Sequence, residues 1–180
     1  MTMLTLWRRI FGALALTTSV LFLLTLVLLV GDASGQQPTF KEQFVGTWKI
    51  VSITQYQADG KKIEPYGPNP KGIMILDRNG RYSLLLLRPG LPKVASNNRE
   101  TATPEETKAI VRGSLGHFGT YSINEADRTF TIQIESSTFA NWDGTEQKRV
   151  FTLEGDQLKY TNPVTAMGRA SAELVWQRVK

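Results

Sequence analysis

From Phe40 onward the chain sets short runs of β-branched and aromatic residues between clusters of turn residues, a pattern that predicts an antiparallel all-β domain. Eight runs qualify as strands: Thr47 to Thr54, Ile73 to Leu76, Arg81 to Leu87, Thr120 to Ile123, Thr129 to Ser136, Gln147 to Leu153, Gln157 to Thr161 and Ser171 to Val179. Asp77-Arg78-Asn79-Gly80 joins the second and third, and an Asn-Gly pair marks a hairpin because both residues tolerate positive φ. Asn124-Glu125-Ala126-Asp127 and Glu154-Gly155-Asp156 are further turns. Strands joined this tightly run antiparallel, since a parallel pair needs a crossover of about a dozen residues. Closing eight of them into an up-and-down barrel removes the exposed edges and leaves an interior for side chains or one small ligand.

One helix interrupts the series. Thr103 can cap free amides, Pro104 suits the first helical position, and Glu106 completes a capping box. The pattern predicts a helix over about Pro104 to Gly116, with Thr107, Val111, Leu115 and Phe118 as one stripe to lay against the sheet as a cover.

The first 35 residues have another character. Arg8 and Arg9 close a basic start, and Ile10 to Val30 carries no charge. Ala33-Ser34-Gly35 then offers the small residues of a signal-peptide cleavage site. The rival is an uncleaved anchor helix, for which about 18 apolar residues suffice. Thr17-Thr18-Ser19 breaks the run and leaves Val20 to Val30 as a short dense core, which favours cleavage. Either way the arginines stay on the cytoplasmic side and the rest crosses. The expected location is periplasmic or secreted, or else anchored in the cytoplasmic membrane with the barrel outside. Gly31 to Thr39 reads as linker, and residues 40 to 180 as one domain with its own core.

Composition narrows the chemistry. With no cysteine, disulfides, cysteine-ligated metals and a lipid-modified cysteine are excluded. The absence of an Asn-x-Ser/Thr sequon suits a periplasm better than a glycosylating secretory route. Removing residues 1–35 takes away Arg8, Arg9 and Asp32, so the net charge of +5 falls by one. The remaining basic pairs, Lys61-Lys62 and Lys148-Arg149, have acids nearby and form no nucleic-acid stripe.

Phe44-Val45-Gly46-Thr47-Trp48 is the Gly-x-Trp motif that opens lipocalin barrels. It occurs with Lys71-Gly72, Asp77 to Tyr82, Arg88-Pro89, Thr103-Pro104-Glu105-Glu106, Phe118-Gly119-Thr120-Tyr121, Phe139 to Gln147 and Leu174-Val175-Trp176-Gln177-Arg178. Together these resemble the lipocalin-like domain family of small bacterial and fungal barrels, from Phe44 to the C-terminus. The resemblance implies a barrel with a cavity. It also implies that Arg178 packs over the Trp48 indole, and alternation along the last strand puts Leu174, Trp176 and Arg178 on one face. Histidine is common in that family where this chain has Gln133, a departure that argues for binding over catalysis.

Tyr82, Arg88, Tyr121, Trp142 and Arg149 are the candidate cavity lining, a few polar groups among apolar walls. Trp142, in the loop Asn141-Trp142-Asp143-Gly144, is equally readable as a plug. His117, the one histidine, reads as a helix C-terminal residue, and leaves a transition-metal site almost no ligands. Glu135 and Glu146 flank the 139–144 loop and, if close, would raise one carboxyl for acid/base work. No catalytic residue, metal or cofactor is assigned. The leading reading is a non-catalytic barrel for a small hydrophobic or amphipathic molecule in the cell envelope. The alternatives are an isomerase-type enzyme using Glu135, Glu146 or His117, and an interaction module with a filled core.

Overall fold

The computed structural model describes residues 38–168 and 171–180. The expected export segment lies outside them. Nine strands are present: β1 (Gly46–Tyr56), β2 (Lys62–Ile63), β3 (Lys71–Leu76), β4 (Arg81–Leu87), β5 (Ser114–Asn124), β6 (Thr129–Ser137), β7 (Glu146–Glu154), β8 (Gln157–Asn162) and β9 (Ser171–Arg178). From β3 to β9 each strand pairs antiparallel with the next in the chain, and β1 bonds both β3 and β9. Eight strands thus close into a barrel, and β2 adds a short flap on the far end of β1, at Gln55 and Tyr56.

Alternation sorts the side chains. Tyr82, Leu84 and Leu86 of β4 and Phe130, Ile132 and Ile134 of β6 point into the core, while Ser83, Leu85, Gln133 and Glu135 point out. Trp48, Trp176, Tyr160, Phe44, Phe130 and Phe151 are the largest fully buried side chains. They fill one half of the barrel.

That half is sealed by a short helix, α1 (Phe40–Phe44), started by a Thr39–Glu42 capping box. Phe44 drops into the barrel with its ring 4.6 Å from that of Phe151. The β3–β4, β5–β6 and β7–β8 turns surround this closed end. In the first of them Gly80 takes φ 82°, and Asp77 Oδ1 accepts from the amides of Asn79 and Arg81. The opposite end, the mouth, carries the long connections, including helix α2 (Pro104–Gly113) and a 3₁₀ turn at Ala140–Trp142.

Two expectations about the middle of the chain need correction. The Thr103–Glu106 capping box and Pro104 start α2 as expected, but the helix ends at Gly113 and β5 begins at Ser114, six positions before the expected Thr120. The stripe of Thr107, Val111, Leu115 and Phe118 therefore does not exist. Thr107 and Val111 are exposed on the helix, and Leu115 and Phe118 lie on opposite faces of a strand. Leu115 fits either periodicity, and pairing of Ser114 to His117 with Leu84 to Leu87 decides for strand, because it satisfies those backbone groups in the ladder. Helix α1 and the two-residue β2 are too short to leave a periodic signal.

Candidate functional site

Two connected spaces open at the mouth. The outer one is a cleft of about 600 Å³. Ile63 and Tyr66 before β3, Val111 of α2, Leu115 of β5 and Met167 after β8 supply its mainly apolar walls, and Arg88 its edge. Beneath it lies an inner pocket of about 40 Å³ bordered by Gln55, Trp142 and Asn162. Tyr66, Leu115, Ala166 and Met167 line both, so the pocket is the floor of the cleft. The outer volume falls in the range of small-molecule sites, and the inner one takes a head group or a water or two.

Arg88 donates through Nε and Nη2 to the Pro65 carbonyl at 3.1 and 2.6 Å, tying the loop before β3 across the mouth. Tyr66 is buried beside it, and burial pushes its hydroxyl up to about 12, against the opposing pull of the Arg88 charge. Its phenol stays protonated at neutral pH.

Below the inner pocket the core turns polar. The Tyr82 hydroxyl and His117 Nδ1 are hydrogen-bonded at 2.8 Å. Burial, with the Arg149 charge adding to it, pushes the imidazole down to about 3, so it is neutral and can accept. His117 also meets Trp142 edge-on at 5.9 Å, and Trp142 meets Phe139 at 5.6 Å. Arg149 is 3% exposed. Its guanidinium lies 5.6 Å from the Phe130 ring centre and 5.4 Å from that of Tyr160. Nε donates to Asn162 Oδ1 and Nη2 to Gln147 Oε1, the latter at 2.7 Å.

The candidate lining is thus spread over several depths. Arg88 edges the cleft, Trp142 borders the inner pocket, and Tyr82 and Arg149 sit below it. Tyr121 borders neither space, because β5 runs from the mouth to the closed end. There its hydroxyl donates to the Asp77 carbonyl at 2.7 Å. Arg178 stacks 4.2 Å from the Trp48 ring centre at the same closed end. His117 is a strand residue facing the core rather than a helix terminus.

Glu135 and Glu146 are both exposed, and Glu135 forms a two-pronged ion pair with Arg81 that holds its carboxyl below the usual range. The charge Glu135 meets is a cation, so the raised carboxyl that acid/base work would need is not built there. No carboxylate is among the buried polar residues described. No group of three or more metal-ligating side chains occurs among the described residues.

Gln55, Ile63, Tyr66 and Met167 escaped sequence reasoning, and Leu115 entered it only as part of a helical stripe. The first four look like ordinary strand or loop residues, and only the folded barrel brings them to one mouth.

The model of the lipocalin-like domain matches residues 45–179. The chain belongs to that family. Among curated proteins, this lipocalin-like domain is similar to the 4'-hydroxy-3'-methoxypropiophenone carrier protein of Aspergillus oryzae, at 26% identity over 106 residues, covering 54% of this chain and 96% of the relative. Among solved structures, a variant of the fluorescent protein UnaG aligns with a TM-score of 0.36 at 14% identity, covering 77% of this chain and 98% of that one.

Proposed function

We propose that this lipocalin-like barrel binds and carries a small hydrophobic or amphipathic molecule in its mouth cleft, and that it works in the cell envelope. The observation that carries the reading is the cleft of about 600 Å³ with apolar walls on a barrel whose other half is packed solid. Burying an apolar ligand there gains roughly 25 cal/mol for each Å² removed from water. The carrier role named for the fungal relative supports the same reading, and its aromatic cargo is of a size such a cleft takes. Envelope location is supported by the basic start and uncharged run of the first 35 residues.

Nile red, a neutral apolar dye, tests the binding. It should fluoresce brightly and blue-shifted with the purified domain, and native mass spectrometry of protein taken directly from cells should show a retained small molecule. A dark dye together with an empty mass spectrum overturns the carrier reading. Cell fractionation with N-terminal sequencing tests the location, and recovery of full-length chain in the cytosol overturns that part.

A further inference from the structure

Arg149 occupies an unusual place for a guanidinium. It is buried in the barrel, and among the described residues it forms no ion pair with a carboxylate. Inward-facing neighbours able to titrate are His117 of β5, Tyr82 of β4 and Tyr160 of β8, and none of them is an anion at neutral pH. The two hydrogen bonds of Arg149 go to neutral amide oxygens, and Nη1 makes none among the described residues. Burying a charge this way is costly, because amide oxygens and ring faces only partly replace water.

The positive charge also lies one residue from ligand space. Asn162, which accepts from Arg149 Nε, borders the inner pocket. On the same wall stands Gln55, which pairs with Ala172 of β9 from one side as Asn162 does from the other; it is 4% exposed, its Oε1 has no hydrogen-bond partner among the described residues, and its Nε2 reaches only Met167 Sδ at 3.8 Å. An unsatisfied buried amide bordering the same pocket as the asparagine that holds an unneutralised buried cation is what a site built for a ligand's polar head leaves when described alone.

We infer that the carried molecule is an amphipathic acid whose ionised carboxylate enters the inner pocket and bonds to Arg149, with its apolar body in the outer cleft. The inference rests on the carrier reading. The carboxylate takes over the acceptor role of the Asn162 and Gln147 oxygens, and a charged acceptor forms the stronger bond to a guanidinium. Gln55 meets the head group from the same wall, two strands from Asn162. Tyr66 and Met167, shared by both spaces, then flank the point where head meets tail.

Isothermal titration with decanoate and with decanol, matched in tail and different in head, tests the inference. Decanoate should bind at least ten times more tightly than decanol at pH 7, and Arg149→Met should erase that preference. Equal binding of the two, or a preference that survives in the variant, overturns it. Should Arg149→Met fail to fold, carboxyl-13C decanoate on the unaltered protein gives a second reading. The bound carboxyl should keep the chemical shift of the ionised form at pH 5, and protonation in step with the free acid overturns the inference. Nile red separates the two levels. If the dye binds and decanoate shows no preference, the acid inference falls and the carrier reading stands; if nothing binds, both fall.

Discussion

The Arg178 guanidinium lies 4.2 Å from the ring centre of Trp48 and donates through Nη1 to the Val45 carbonyl at 2.8 Å and through Nη2 to the Gln43 carbonyl. Its Nε also sits 3.3 Å from Asp156 Oδ1. One side chain therefore ties the last strand, the first strand, helix α1 and the β7–β8 turn together at the closed end. Arg178→Met keeps most of the packing and the backbone bond to Asp156, and removes every polar tie made by the side chain. It should cost about 2–3 kcal/mol, read as a lower urea midpoint, because two half-buried carbonyl acceptors lose a charged donor and Trp48 loses its cation. Arg178→Lys should recover only part, since an ammonium cannot stack and fork at once.

Gly46 explains why the Gly-x-Trp motif begins with glycine. Its φ is 139°, and a Cβ there would come within 2.8 Å of Arg178 Nη1. Gly46→Ala should therefore destabilise the barrel by about 1–3 kcal/mol through backbone strain and displacement of the guanidinium. Thermal unfolding of Gly46→Ala, Arg178→Met and the double variant checks the link. The double variant should lose less than the sum of the singles, because each disturbs the same contact.

The neutral His117 makes stability depend on acidity. Its folded value is depressed to about 3 from 6.5, so between those limits the unfolded chain binds the extra proton. Stability from this group is fully present above about pH 6.5 and is lost as pH falls toward 3, by up to about 1.4 kcal/mol per pH unit within the window. Urea unfolding from pH 7 to pH 4 should show that slope, and His117→Gln should flatten it even if it starts from lower stability. An unchanged slope in the variant assigns the acid sensitivity to other groups.

Filling the mouth should abolish cargo binding without unfolding the barrel. Ala166 lines both spaces, and Ala166→Trp places an indole between them. Nile red affinity should fall at least tenfold while the unfolding midpoint shifts little, since the indole enters open space rather than packed core. Retained dye affinity places the binding surface elsewhere.

Arg88 holds the loop before β3 across the cleft through the Pro65 carbonyl. Arg88→Met should leave global stability nearly unchanged and speed amide hydrogen exchange selectively in residues 61–67, because only a local tether is lost. Exchange spread evenly over the barrel would show that the tether is part of the core instead.

The barrel was legible where local signals agree. The Asn79-Gly80 hairpin, the alternation of Phe130, Ile132 and Ile134 with polar neighbours, and the Thr103 capping box are short-range facts that sequence spacing states directly. The helix-to-strand switch at Ser114 was not, because Leu115 suits both periods and only the partner strand β4 chooses between them. The site was legible in part. Polar residues on strands such as Tyr82 and Arg149 stand out against an apolar pattern, but their depth depends on which way each strand runs, and that separates them from Tyr121. Tyr66 and Met167 gave no signal at all, since connections far apart in the chain bring them to one opening.

The pairing of β1 with β9 has a consequence for how the molecule reaches its shape. Its contacts join opposite ends of the domain, and the Arg178–Val45 bond spans 133 positions. The hairpins from β3 to β8 are local and can form early, whereas this seam must bear the largest loop-closure entropy and wait until β9 has been synthesised. Until it zips up, both marginal strands present unpaired edges, so the interval before closure is when this chain is most open to misassociation.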